Sequence, residues 1–268
     1  MLGKVGVVRP TFEEYPNRRD TDGLVTFVPQ NEDFRYTADD LMTYFGEHPA
    51  ENLLIINPDN PSGNFIPFAD LLRLAQWSEE RGVRLIIDES FVDFSVGYEQ
   101  NTLLHNALLE QYPHLVVMKS ISKSYGVPGI RLGILCSADK TIIAKMKKMV
   151  SIWNINSFAE FFMQIFNKYE KDYKLACDKF IAERDDFERQ LRQIPFLRVM
   201  PSQANYFLCE ILPPMTANGL VLSMLKRFNI LTRDCSDKKG FDGKKQYMRI
   251  AVRSHEDNAR LIAAFKQM

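Results

Sequence analysis

Lys119-Ser120-Ile121-Ser122-Lys123-Ser124-Tyr125-Gly126-Val127-Pro128-Gly129-Ile130-Arg131-Leu132-Gly133 lies between two apolar runs, Leu115 to Met118 and Ile130 to Cys136. Each run reads as a short buried strand, and the segment between them as a loop. The loop carries Lys123 among the hydroxyls of Ser120, Ser122 and Ser124, with glycines, a proline and Arg131. An amine, hydroxyl donors and a guanidinium fork converging on one ligand suit a phosphorylated aldehyde. Lysine amines form Schiff bases with aldehydes, and hydroxyls with arginine hold a phosphate dianion. A Gly-rich turn with solvated charges is the alternative, and the upstream sequence decides between them.

Three segments share a pattern. Asn52 to Asn57 contains the continuous apolar run Leu53-Leu54-Ile55-Ile56, as in a parallel strand covered on both faces. It ends in Asn57-Pro58-Asp59-Asn60-Pro61-Ser62-Gly63, where prolines and glycine forbid regular structure. Pro67 to Arg81 follows as an amphipathic helix closed by Gly82. Val83 to Ile87 is the next strand and delivers Asp88-Glu89-Ser90-Phe91. A helix over about Thr102 to Gln111 separates it from Leu115 to Met118. Right-handed crossovers make these strands parallel, so their carboxyl ends bring an asparagine, an aspartate and a lysine to one crevice.

The chain has 268 residues, enough for one large α/β domain or two linked ones. Its 34 basic and 34 acidic residues cancel, so charge steers it toward neither nucleic acid nor a membrane surface. No apolar run reaches the roughly eighteen residues of a membrane span. The four cysteines, Cys136, Cys177, Cys209 and Cys235, are far apart, and no secretory signal is evident, so the cytoplasm is the expected compartment. His48, His105, His114 and His255 lack a second ligand at metal-binding spacing, and no metal is expected.

Elsewhere, Val5 to Val8 and Val25 to Val28 are strand-like, and Thr37 caps a helix running to Phe45. Lys140 to Met149 reads as a helix with a solvated lysine face. From Phe158 to about Leu191, apolar residues recur at three and four, predicting one long helix whose aromatic stripe packs in the core. Strands near Leu197 to Met200, Tyr206 to Cys209, Ile230 to Thr232 and Tyr247 to Val252 alternate with helices at Thr216 to Phe228 and Glu256 to Lys266. The expected division is residues 1–157, a large domain, and 158–268, a linking helix with a small α+β domain. Asp237 to Lys245 reads as an exposed charged loop.

With these residues in place, the sequence resembles the fold type I pyridoxal 5'-phosphate enzymes, specifically the class I/II aminotransferases. Asn57 to Gly63 is similar to the family's Asn-Pro-x-Asn-Pro-Thr-Gly loop, Asp88 to Phe91 to its Asp-Glu-Ala-Tyr turn, and Ser120-Ile121-Ser122-Lys123 with Arg131 to its Schiff-base segment. The resemblance implies the aspartate aminotransferase-like fold, an α/β large domain with a mostly parallel sheet and a smaller α+β C-terminal domain. It implies that Lys123 forms the Schiff base and moves the proton at Cα, and that Asp88 pairs with the pyridine nitrogen. Asn60 would donate to the phenolic oxygen, Ser120, Ser122 and Arg131 would hold the phosphate, and Phe12 would stack on the ring. Phe91 departs from the pattern, because many members place a tyrosine hydroxyl there.

Within the family the phrases Asp88 to Phe94, Tyr125 to Gly133 and Arg233-Asp234-Cys235 are similar to the histidinol-phosphate aminotransferase and threonine-phosphate decarboxylase branch. That likeness implies Arg249 at a substrate carboxylate, Arg233 at a second anionic group, and Asn156 reaching the substrate. Transamination of an amino acid, phosphorylated or not, is the expected reaction. A decarboxylase of the threonine-phosphate type and a truncated, catalytically silent homologue are the alternatives. A small-molecule substrate and a homodimer are the expected partners. Family members carry a further N-terminal segment with a phosphate-binding helix terminus, and relative to them the large domain reads as N-terminally incomplete, the chain being a fragment or a subunit completed by a partner.

Overall fold

The computed structural model describes residues 3–268. Five strands run parallel: β1 (Val5–Val8), β2 (Leu24–Phe27), β3 (Asn52–Ile56), β4 (Arg84–Asp88) and β5 (Leu115–Ser120). With antiparallel β6 (Gly133–Cys136) they form a sheet in the order β2-β1-β3-β4-β5-β6. Alternation along the strands explains the unbroken apolar runs. Leu53, Ile55, Leu85 and Ile87 face one core with α1 (Ala38–Glu47) and α2 (Phe68–Glu80). Leu54, Ile56 and Ile86 face a second core with Phe91, Phe94, Ala204 and Tyr206. Thr37 closes a reciprocal capping box with Asp40 at the start of α1, as its position before two acidic residues predicts.

The predicted helix at Thr102 to Gln111 is shorter than the periodicity implies. After the single turn α3 (Tyr98–Asn101), regular helix resumes as α4 (Asn106–Gln111). The carboxylate of buried Glu89 takes Thr102 Oγ1 and Leu103 N, each at 2.6 Å, and so holds that stretch out of the helix. β6 also starts later than expected, because Pro128–Ile130 forms a 3-10 turn and Arg131 is left-handed. α5 (Lys140–Met149) is as read and buries none of its residues.

The helix expected from Phe158 to Leu191 is divided into α6 (Ser157–Phe166) and α7 (Glu170–Leu191) by a 3-10 turn at Asn167–Tyr169. Its aromatic stripe divides too. Phe162, Phe166 and Tyr173 pack on Tyr125, just beyond Lys123, with Tyr125 and Tyr173 stacked at 4.3 Å. Phe158, Phe161 and Tyr169 are exposed, contrary to the core reading. Phe158 lies in the first turn of α6, one turn before Phe162, and Phe161 lies about 100° from Phe162 around the helix.

The C-terminal sheet is antiparallel, ordered β7-β8-β10-β9, from β7 (Leu197–Val199), β8 (Tyr206–Ile211), β9 (Arg233–Asp234) and β10 (Gln246–Ala251). The strand expected at Ile230 to Thr232 therefore begins three residues later, at Arg233. α7, α8 (Ala217–Phe228) and α9 (His255–Phe265) supply Phe187, Leu220, Met224, Leu261 and Phe265 to its core.

The charged loop after β9 is not simply exposed. Lys238 Nζ donates to Thr11 O at 2.8 Å, and Phe241 stacks on Tyr247 at 4.1 Å and meets Phe34. Gly240 lies so near the chain at Arg9 and Pro10 that a Cβ there would fall 2.7 Å from Pro10 N. This loop ties the small sheet to the loop after β1.

Candidate active site

The carboxyl ends of β1, β3, β4 and β5 converge, which adds the loop after β1 to the three anticipated. Asp88, at the end of β4, is buried, and its Oδ1 accepts from Ser90 N at 2.9 Å and from Ser90 Oγ. Its Oδ2 accepts from Tyr15 Oη at 2.5 Å. Ser90 Oγ also accepts from Ser120 N at 3.0 Å, joining the ends of β4 and β5. Burial, the Asp88 charge and the bond to it raise the Tyr15 phenol well above its usual range, so it remains the donor. Phe12 is 45% exposed, its ring 5.7 Å from Tyr15 and edge-on to it.

Asn60 is buried in the loop after β3, and its Oδ1 accepts from Arg249 Nη1 at 2.8 Å. That bond fixes the amide so that Nδ2 is the free donor. The Arg249 guanidinium lies 4.9 Å from the centre of the Tyr206 ring, and Phe91 meets the same ring edge-on at 5.2 Å. Arg233 is exposed and sits opposite Arg249 in the β9–β10 register. The two arginines line a cleft of about 690 Å³ with Thr232, Arg253, Asp257 and Arg260.

Lys123 is exposed, and its Nζ makes no hydrogen bond or ion pair among the described residues; it stands 5.9 Å from the centre of the Phe91 ring. Its carbonyl accepts from Gly126 N at 3.2 Å, a turn closed by the positive φ of Gly126. The turn is anchored from beneath by buried Asp93, which accepts from Lys119 Nζ at 2.7 Å and Ser124 Oγ at 2.6 Å. Ser120 Oγ accepts from Ser122 N, whereas Ser122 Oγ makes no hydrogen bond among the described residues. Arg131 is exposed, and one of its nitrogens donates to Pro128 O. Asn156 caps α6 by accepting from Ala159 N and donates to Ile130 O at 2.7 Å, so its amide ties the start of α6 to the Arg131 loop.

Hydrogen bonds and ring contacts thus join Asp88, Ser120 and Phe12 through Tyr15 and Ser90, and Asn60, Arg249 and Lys123 through Tyr206 and Phe91. Sequence reasoning missed Tyr15, Ser90, Asp93 and Tyr206. Ser90 had a signal, since a serine two residues past a strand-end aspartate is placed to bond it. Tyr15 had none, because its partner lies 73 residues away.

Two buried acids behind the site set its response to pH. Burial pushes Glu89 up to about 7, against the bonds from Thr102 and Leu103, and Asp59 up to about 6, against those from Ser62. Both values are raised above those of the unfolded chain, so the folded state binds the protons more tightly. The groups therefore oppose folding once ionised, and stability falls as pH rises from about 4.5 to about 7. Urea titrations should show a native chain more stable at pH 5.5 than at pH 8 by about 3 kcal/mol. The Glu89→Gln and Asp59→Asn variants should each flatten that slope, and an unchanged slope would refute the assignment.

Residues 4–265 match the sequence model described as aminotransferase class I and II. Over 268 residues the chain is 31% identical to CMP-5'-(3-aminopropyl)phosphonate synthase of Streptomyces rubellomurinus, covering 100% of this chain and 42% of that protein. It is 30% identical to L-serine phosphate decarboxylase of Sulfurospirillum multivorans, covering 99% of this chain and 68% of that one. The crystal structure of histidinol-phosphate aminotransferase from Clostridium acetobutylicum matches with a TM-score of 0.86 at 27% identity, over 98% of this chain and 77% of that one. The chain spans less than half the length of the first of these relatives and about two thirds of the second. Among the described residues no helix is long and apolar enough to cross a membrane, and no group of three or more histidine, cysteine, aspartate or glutamate residues could hold a metal ion.

Proposed function

The chain belongs to the aminotransferase class I and II family, with the aspartate aminotransferase-like fold, and from this we propose that it acts at Cα of a phosphorylated amino acid. The family uses pyridoxal 5'-phosphate, which when bound supplies an electron sink for the pair left on Cα. The donor set fits that cofactor: a buried carboxylate with no ion-pair partner among the described residues, a free lysine amine, and uncommitted donors on Asn60, Ser122 and Arg131.

In this reading Asp88 meets the ring nitrogen, Asn60 Nδ2 the phenolic oxygen, and Ser120, Ser122 and Arg131 the phosphate. Phe12 covers the ring. Lys123 Nζ is the amine for the aldehyde carbon and then the base that holds the proton moved at Cα. Arg249 takes the substrate carboxylate and Arg233 the second anionic group. The observation that carries the substrate class is this pairing of arginines across β9 and β10, one bonded to Asn60 and the other exposed in the same cleft. Asn156 is proposed as a support for the Arg131 loop, because its amide nitrogen bonds Ile130 O there while its oxygen caps α6.

Decarboxylation is the reaction favoured here, on the likeness to L-serine phosphate decarboxylase over 99% of the chain. Transamination, the first expectation from the motifs, keeps the support of the histidinol-phosphate aminotransferase structure. A catalytically silent homologue is opposed by the intact Asn60, Asp88 and Lys123 set. We place the expected second copy of the chain on the exposed apolar band of Met149, Ile152, Trp153, Phe158 and Phe161.

The test is to incubate the chain and pyridoxal 5'-phosphate with O-phospho-L-serine or O-phospho-L-threonine, with and without a 2-oxo acid. Carbon dioxide and a phosphorylated amine, formed without the oxo acid, are expected. Product only in its presence means transamination, and no product in either arm removes the reading. Arg233→Gln should raise KM for the phosphorylated substrate by about tenfold or more, with a smaller change in kcat.

A further inference from the structure

We propose that Tyr15 and Ser90 are positioning residues that hold Asp88 as an oriented anion for a protonated ring nitrogen, and that Ser90 passes this orientation on to Ser120. The inference rests on the reading above that Asp88 meets the cofactor ring.

A carboxylate as buried as Asp88 is costly to ionise unless a cation or several donors face it. Asp88 has no ion-pair partner among the described residues, whereas nearby Asp93 is paired with Lys119. It has donors instead: Tyr15 Oη on one oxygen, and Ser90 N and Oγ on the other. With both oxygens engaged the carboxylate plane is fixed, and the remaining lone-pair directions are those open to a ligand.

The same contacts set distances between loops. Tyr15 N is bonded to Phe12 O, so the residue that holds Asp88 also fixes the turn carrying Phe12. Ser90 Oγ, which donates to Asp88, receives Ser120 N, so the turn after β4 holds the start of the Lys123 loop. Nitrogen seat, ring cover and phosphate loop are thereby tied in one network. Ser90 and Phe91 occupy the positions of alanine and tyrosine in the family's turn. Relative to that pattern, a hydroxyl is gained beside the carboxylate and one is lost beside the phenolic oxygen. The Tyr15 phenol, raised well above its usual range, stays protonated throughout the working pH range and remains a donor.

The experiment uses the full chain, its Tyr15→Phe and Ser90→Ala variants, and pyridoxal 5'-phosphate labelled with 15N in the ring. Visible absorbance gives the dissociation constant, and the 15N shift reports ring protonation. Tyr15→Phe should weaken binding by about tenfold or more and move the 15N signal from the pyridinium toward the neutral position. Ser90→Ala should do the same by about threefold to tenfold, and Ser90→Thr should restore it. A merely structural role would change the thermal midpoint of the unloaded chain and leave the 15N shift in place. Native-like affinity and an unmoved 15N signal in both variants overturn the inference while leaving the function reading intact. A native chain that takes up no cofactor overturns the function reading, and the inference falls with it.

Discussion

Lys123→Ala is expected to abolish borohydride-trapped attachment of pyridoxal 5'-phosphate and to lower turnover by at least about a thousandfold. The structure gives the reason that no other lysine should substitute. Lys119, four residues earlier, is locked in a buried ion pair with Asp93 at 2.7 Å. The α5 lysines belong to a helix that buries none of its residues. Lys123 alone combines an amine without partners among the described residues with a backbone fixed by the Gly126 turn and a position over the Phe91 ring. Peptide mapping after reduction should therefore find one labelled peptide in the native chain and none in the variant. Label spread over several surface lysines in the native chain would show that Lys123 does not carry the cofactor.

Removing the carboxylate beneath that turn should have the largest effect on stability. Asp93→Ala leaves the Lys119 ammonium buried without its counter-ion and frees Ser124 Oγ, because both now rest on the one carboxylate. The side chains of the pair are only 8% and 9% exposed, so solvent screens little of the loss. Breaking such a pair from one side costs about 3–5 kcal/mol. The urea midpoint should fall accordingly, and the Asp93→Ala/Lys119→Met double variant should recover much of the loss by removing the stranded charge. If the single and double variants are equally unstable, Asp93 acts through Ser124 and the turn rather than through the ion pair.

The primary structure by itself determined the parallel sheet and the placing of its loops. Continuous runs such as Leu53 to Ile56 demand cover on both faces, and the prolines and glycines that end them force turns at one edge. Asn60, Asp88 and Lys123 were therefore legible as a group, each lying at or just past the end of its strand. Local chemistry of this kind is written in adjacent residues. What only the tertiary structure decided depends on pairs distant in sequence. Glu89 draws Thr102 and Leu103 out of a helix their periodicity favours, and Tyr125 decides which aromatics of α6 and α7 are buried. Gly240 and Lys238 reach back to the loop after β1, and Tyr15 reaches Asp88 across the sheet edge. A hydrogen bond or ring contact has no sequence period of its own. It forms where folding brings a donor to an acceptor, so the partners of these residues were fixed only once the sheets had packed.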